Sequence, residues 1–202
     1  MEFVIESIKL EDYLKETPEV NYFHPLIQDK VRRFFNPYQT DIEKARKAFE
    51  YVRDDIAHSY DIQGTIVTAK ASDVLLHKQG ICYAKAMLLA ALLRSQGIPT
   101  GFCYQRLMLF DVPEKGYCIH ALNAVYLKEL QHWVRLDARG NKPGVNAQFS
   151  LNDEQLAFRV NEAVDEKDYN VIYCHPHPKT VAVLKAHSDA QEMYRYHLPQ
   201  EI

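Results

Sequence analysis

The segment ICYAKAMLLAALLRSQ, residues 81–96, constrains the fold of this chain more than any other stretch. Alanine and leucine favour helix, and the segment is apolar on nearly all sides, which is typical of a helix buried at the centre of a protein. Gly97 suits the position just after the last helical turn, and Pro99 prevents the helix from continuing. The longest apolar run, Ala86 to Leu93, is far shorter than the ~20 residues that cross a bilayer. The sequence therefore predicts a globular domain built around one central helix.

Two longer helices and one brief helix are expected upstream of this segment. Residues 24–35 carry an apolar stripe at helical spacing, which Asn36-Pro37 ends. Thr40 and Glu43 have the spacing of a capping box, so a second helix is expected to begin there. Ser72 is the expected cap of a brief helix in SDVLLHK.

After Pro99 the pattern changes to β-branched and aromatic residues separated by polar turns, which is typical of antiparallel strands. A tight turn at Lys128-Glu129 would place His120 directly opposite Asp137 on one face of a sheet. A short strand in VIYCH and a helical tail over residues 180–196 are expected to follow. Helices followed by antiparallel strands predict the α+β class. The three main strands are predicted at Thr100–Phe110, Tyr117–Leu127 and Trp133–Asp137.

Length and charge exclude several classes of protein. The 202 residues suit one domain, at roughly 100–200 residues each. The 24 basic and 27 acidic residues give a net charge of −3, which argues against a nucleic-acid partner. The first residues, MEFVIESIKLEDYLKE, lack the basic and apolar regions of a secretory signal. We therefore expect a cytoplasmic protein without membrane association, in which the cysteines stay reduced.

Cys82 follows Gly80-Ile81 and stands in the first turn of the central helix. The free amides and the dipole at that position stabilise a thiolate and offer donors to an oxyanion. A thiolate nucleophile needs a base, and the base needs an orienting group; His120 and Asp137, on successive strands, are the candidates. Each residue alone has an ordinary interpretation, as a buried thiol, a hydrogen-bonded strand histidine and a turn aspartate. Their order along the chain favours a combined Cys-His-Asp triad.

The segment GICYAKAMLLAALLRSQGIPT resembles the nucleophile helix of the transglutaminase-like superfamily. His120-Ala121 is similar to the His-Ala element of that family, and WVRLD, ending at Asp137, to its Trp-x-x-Leu-Asp element. With ASDVL upstream, the resemblance extends from Ala71 to Asp137. It implies a papain-like α+β core in which the nucleophile helix packs on an antiparallel sheet. It also implies that Cys82 is the nucleophile, that His120 is the base and that Asp137 orients the base.

The same resemblance suggests how the chain is organised. We expect a single transglutaminase-like domain over residues 1–202. Its helical part would span residues 1–70, its catalytic core residues 71–140, and residues 141–202 would complete the domain.

The expected activity is hydrolysis of an amide or peptide bond through a thioester acyl-enzyme, as in a cysteine protease or amidase. Acyl transfer to an amine, as in a transglutaminase, is the alternative within the enzymes. A non-enzymatic peptide-binding module and a redox-sensing thiol protein remain open as well. The expected partner is a peptide or another amide-containing substrate, proteins included, and the oligomeric state stays undetermined.

Further site residues and cofactors follow from the same chemistry. A second oxyanion donor is expected from Tyr60 or Gln63, in the segment SYDIQ. Arginines at the mouth of the site would bind a carboxylate. The cluster Cys174-His175-Pro176-His177 lacks the further ligands of a zinc site, so no metal is expected, and no nucleotide or flavin motif is present. The candidates for substrate contacts are Arg106, Trp133, Arg135 and Arg139.

Overall fold

The structure, a computed structural model, describes residues 3–202. Its centre is helix α4, Cys82–Arg94, and all 13 of its residues are buried, which confirms the expectation of a central helix. Gly97, with φ of +73°, ends this helix, and the Ile98 amide donates to the Leu93 carbonyl. The helices that precede it are α1 (Pro25–Phe34), α2 (Asp41–Asp54) and α3 (Ala71–His77).

One of the two predicted helix caps is confirmed. Thr40 and Glu43 form a complete capping box at the start of α2. The expectation for Ser72 is wrong, because α3 begins one residue earlier, after Lys70. The amide and hydroxyl of Ser72 instead bond the Asn21 side chain, at 3.1 and 2.8 Å. A partner from outside the helix therefore occupies the groups with which Ser72 would have capped it.

The three predicted strands are present as β4 (Thr100–Met108), β5 (Tyr117–Leu127) and β6 (His132–Leu136), and a fourth strand, β7 (Lys167–Asp168), joins them. The four form one antiparallel sheet in the order β6-β5-β4-β7. The loop between β5 and β6 has four residues, 128–131, and pairs Asn123 with Leu136. The expected pairing of His120 with Asp137 is therefore wrong by two positions. Because side chains alternate with a period of two, this shift leaves both residues on the same face.

The two faces of the sheet have different neighbours. On one face the Asn123 amide donates to the Ala86 carbonyl of α4 at 3.2 Å, and the apolar residues of that face belong to the main core. On the other face Cys103 and Leu122 pack against a second, smaller cluster. His120 lies three positions before Asn123 in β5, and side chains an odd number of residues apart in a strand point to opposite faces. His120 therefore belongs to the second face.

Short elements complete the domain. Strand β2 (Ala57–His58) pairs in parallel with β3 (Gln79–Gly80), and β1 (Val4–Ile5) pairs in parallel with β8 (Val171–Ile172). The expected strand in VIYCH is thus present over two residues. The expected helical tail is confirmed as two helices. These are α5 (Pro178–Ala186) and α6 (Ala190–Tyr196). Within residues 3–202 the helices are all too short or too polar to cross a membrane.

Candidate active site

The nucleophile candidate Cys82 is the first residue of α4. Ile81 precedes it in extended conformation, and none of the side chains described by the structure caps the helix. The amides of the first turn therefore remain available to a charged group at this end of the helix. Gly80 sits tightly against the same turn, because a Cβ atom there would lie 3.1 Å from the Cβ of Ala84.

His120 and Asp137 form a buried hydrogen-bonded pair. The His120 Nε2 atom lies 2.8 Å from the Asp137 Oδ2 atom, and both side chains are almost fully excluded from solvent. Asp137 also accepts the Ala157 amide at 3.0 Å and the Arg139 amide at 3.2 Å. Three donors therefore fix the carboxylate, and the carboxylate in turn fixes the orientation of the imidazole.

The electrostatics of the pair favour an imidazolium beside a carboxylate. Burial alone lowers the pKa of His120, but its interactions with the Asp137 carboxylate and with Cys82 oppose this effect and raise that pKa to about 10. Burial alone raises the pKa of Asp137, but His120 and the two amides bring it below its ordinary value. The Asp137 carboxylate therefore stabilises the imidazolium form of His120.

All three residues border or underlie one open cleft of about 1250 Å³. Cys82, Cys118 and His120 contribute to its wall, and Asp137 lies behind His120. Burial raises the pKa of the Cys118 thiol to about 12. The cleft is also lined by hydrophobic side chains, which are those of Leu107, Met108, Leu109, Phe110, Val145, Leu156, Phe158, Val160, Val164 and Tyr194.

The two residues expected to donate to an oxyanion have different positions. Tyr60 lines the cleft and stacks on Tyr194, with ring centroids 4.4 Å apart. Gln63 is exposed in left-handed conformation outside the cleft, and its amide donates to the Tyr60 carbonyl at 2.8 Å. The structure does not bring Gln63 to Cys82, because the turn after Tyr60 uses its side chain locally.

His58 is a cleft residue that the sequence analysis missed. Strand pairing sets it beside Gly80, two residues before Cys82. It is 4% exposed, and its Nδ1 atom has no hydrogen-bond partner among residues 3–202. Burial, followed by the charge of Arg139, lowers the pKa of His58 well below its ordinary value. A neutral imidazole with an unused polar atom therefore stands next to the first turn of α4.

The arginine and tryptophan candidates are mostly held by other parts of the chain. Arg106 contacts the Gln200 carbonyl and Asp165 and lies over the Tyr117 ring, outside the cleft. Trp133 packs against Tyr13, with ring centroids 4.7 Å apart, also outside the cleft.

Arg139 and Arg135 line the cleft, but both are paired. Arg139 makes two hydrogen bonds to Asp61, which ties the loop after β6 to the loop after β2. Arg135 is shared by Glu154 and Asp168, at 2.6 Å to each. Neither arginine therefore has a free guanidinium group that could bind a substrate carboxylate.

The fold and the site define an α+β domain with a cysteine at the start of a buried helix and a His–Asp pair on the adjacent sheet. Residues 28–138, more than half of the chain, match the transglutaminase-like superfamily. The chain belongs to that superfamily. A match to a curated protein was not found.

Two solved structures resemble the chain. One is described as a "putative cysteine protease" from Cytophaga hutchinsonii; it shares 18% identity, with a TM-score of 0.52, over 66% of this chain and 43% of its own. The other is described as a TGase, with 14% identity and a TM-score of 0.44 over 91% of this chain and 52% of its own. The first supports the transglutaminase-like fold. The chain spans about half the length of these structures or less.

Proposed function

We propose that this chain is a cysteine-nucleophile amidase that hydrolyses an amide or peptide bond through a thioester acyl-enzyme. The observation that carries the proposal is the buried 2.8 Å bond between His120 and Asp137 in a cleft that also contains Cys82. A catalytic base that a carboxylate orients, next to a thiol at a helix N-terminus, is the arrangement that acyl transfer through a thioester requires.

The proposed reaction has two halves. In the proposed resting site His120 already holds the proton of the Cys82 thiol as an imidazolium, and the Cys82 thiolate attacks the substrate carbonyl to give a tetrahedral oxyanion. His120 returns that proton to the leaving amine as the carbon–nitrogen bond breaks, which leaves a thioester on Cys82. His120 then takes a proton from water, which attacks the thioester, and it keeps that proton as the carbon–sulfur bond breaks, which releases the acid product and restores the Cys82 thiolate.

Two groups would stabilise the oxyanion. The open amides of the first turn of α4 supply one donor. We assign the second to His58, since its neutral imidazole has an unused buried nitrogen beside Gly80. A neutral imidazole can donate a hydrogen bond to a developing negative charge without adding a proton to the reaction.

The proposal is tested first by alkylation. We expect iodoacetamide to modify Cys82 at pH 6 much faster than the other three cysteines, as peptide mass spectrometry would resolve. Cys103 and Cys118 are internal controls, because burial raises the pKa of each thiol to about 12. His120→Ala should slow the reaction of Cys82 by removing the cationic partner of the thiolate.

Turnover is tested second, with a peptide library and a mass-spectrometric readout. We expect hydrolysis that Cys82→Ala abolishes and that the matched variant Cys118→Ala retains. An added primary amine that appears in the product would identify acyl transfer as the reaction instead. Equal reactivity of all four cysteines together with absent turnover would contradict the proposal and favour a binding module.

A further inference from the structure

A row of three polar side chains crosses the sheet at the level of the base. Gln105 of β4 pairs with His120 of β5 on one side and with Asp168 of β7 on the other. Residues directly opposite each other in antiparallel strands share a face, and neighbouring strands lie about 4.8 Å apart. Gln105 and Asp168 are therefore roughly one and two strand spacings from the catalytic base, and all three line the cleft.

Gln105 presents an unused acceptor in this row. The residue is 1% exposed, and its Oε1 atom has no hydrogen-bond partner in the described part of the chain, residues 3–202. Its amide nitrogen faces the Asp168 Oδ2 atom at 3.3 Å. A carboxylate only accepts hydrogen bonds, so the amide group cannot turn around without losing that bond. The buried oxygen is thus fixed as an acceptor and lacks a donor.

The charges around this row are negative in sum. The part of the cleft formed by β6 and residues 153–168 has four carboxylates against two guanidinium groups, a net formal charge of −2. Arg135 is already bound by Glu154 and Asp168. Glu166 is buried and accepts only the Met108 and Asn161 amides, without a basic partner among residues 3–202. A buried carboxylate without a counter-ion favours a cationic ligand. The charged groups counted are Asp153, Glu154, Glu166 and Asp168 with Arg135 and Arg159.

We propose that the row formed by Gln105 and Asp168 binds an ammonium group carried by the amine half of the substrate. This inference rests on the proposed function. It assigns the substrate class as amides whose leaving amine bears a second, cationic nitrogen, as a diamine or a basic amino acid does. His120 would protonate the leaving nitrogen. The ammonium group would donate to the Gln105 Oε1 atom. It would lie roughly 5 to 10 Å from the leaving nitrogen, which is one to two strand spacings across the sheet.

The test compares three acetamides of similar length. They are the monoacetamide of 1,4-diaminobutane, N-pentylacetamide and 5-acetamidopentanoate, which carry a positive, a zero and a negative charge at the same end. Binding is measured by calorimetry in the Cys82→Ala variant, which lacks the nucleophile and so cannot form the acyl-enzyme. We expect the cationic amide to bind at least tenfold more tightly than the neutral one, since hydrogen bonds to charged groups are the stronger ones. The anionic amide should bind most weakly.

Matched variants locate the effect. Gln105→Met, of similar shape, should reduce the cationic preference, taken as the ratio of the two affinities in that variant, to less than about threefold. Asp168→Asn should lower the same preference by removing the charge at the end of the row. Gln96→Met, at the other end of α4, should change neither affinity. Thermal unfolding of each variant shows that it is folded before its affinity is interpreted.

The outcomes separate this inference from the proposed function. Equal affinities for the three amides, or absent binding of the cationic amide up to about 10 mM, would overturn the inference even where the wild-type chain hydrolyses amides. A cationic preference that Gln105→Met removes supports the ligand site even where wild-type turnover is absent. In that case only the proposed reaction would fail.

Discussion

Lys85 is a fully buried lysine one turn after the nucleophile candidate, and replacing it gives a sharp test of the site's electrostatics. It is 1% exposed, and its ammonium group donates to the Ile56 carbonyl. Gly140, in the loop after β6, leaves room for it, since a Cβ atom there would lie 3.3 Å from the Lys85 Nζ atom. Burial, with the charge of Arg139 adding to it, lowers the pKa of Lys85 from 10.5 to about 7.

The magnitude follows from proton linkage. The charged form of Lys85 is disfavoured in the folded state, so the unfolded chain binds more protons between pH 7 and 10.5. The contribution of Lys85 to the free energy of unfolding is therefore lowest below pH 7. It rises between pH 7 and 10.5 by about 1.4 kcal/mol per pH unit, or roughly 5 kcal/mol in total. Lys85→Met removes this penalty but leaves the Ile56 carbonyl without its donor, at a cost of about 1 to 3 kcal/mol.

Lys85→Met should consequently be more stable than the wild type by about 2 to 4 kcal/mol at pH 6 and less stable by about 1 to 3 kcal/mol near pH 10.5. Urea unfolding at several pH values, fitted for each protein, measures the difference. Lys115→Met, in the exposed turn between β4 and β5, is the control and should follow the wild-type pH profile. Parallel profiles for Lys85→Met and the wild type would refute the argument, because they would mean that Lys85 keeps its ordinary proton affinity when buried.

Two further predictions concern the pair behind the cleft and the packing of the sheet. In Asp137→Asn, an NH₂ group must face one of the three groups that now donate hydrogen bonds to the carboxylate. We therefore expect kcat to fall by about 10³- to 10⁴-fold and the pKa of His120 to drop in a pH–rate profile. An unchanged profile would exclude His120 as the base. Gly101→Ala places a Cβ atom 2.5 Å from Ile172 and 2.9 Å from the Tyr173 carbonyl, so we expect a loss of about 1 to 3 kcal/mol in urea unfolding, and unchanged stability would contradict the close approach of β4 and β8.

The parts of the fold that the sequence predicted well are those set by local pattern. Helix α4 is apolar on nearly every side, with Lys85 and Arg94 as its charged residues, so its burial depends little on which elements surround it. The capping box at Thr40 involves only neighbours in the chain. The β5–β6 register failed because it depends on a loop of four residues, 128–131, where a tight turn was assumed. The register differs from the prediction by two residues, and a shift by an even number leaves His120 and Asp137 on one face of the sheet.

The parts of the site that sequence reasoning missed depend on contacts between distant segments. His58 reaches the start of α4 through a pair of two-residue strands, and such short strands carry no periodicity. Its position two residues before Tyr60 was the available signal. The arginines suggested a cleft for anionic substrates, but Glu154, from an irregular segment, and Asp168, from the two-residue strand β7, bind Arg135 and reverse the local charge.

Two buried polar side-chain atoms without hydrogen-bond partners in the described part of the chain lie in the wall of the cleft. Six side-chain atoms of this kind are found within residues 3–202, and they include His58 Nδ1 and Gln105 Oε1 in the cleft wall. Each such atom costs about 1 to 3 kcal/mol in the free protein. A folded chain that carries this cost, together with the buried charge of Lys85, is less stable than its core alone would make it. A substrate that supplies an oxyanion to His58 and a donor to Gln105 would remove both deficits at once, so its binding energy would be concentrated on the groups beside Cys82. The same two atoms that weaken the free protein are therefore those that would select the substrate.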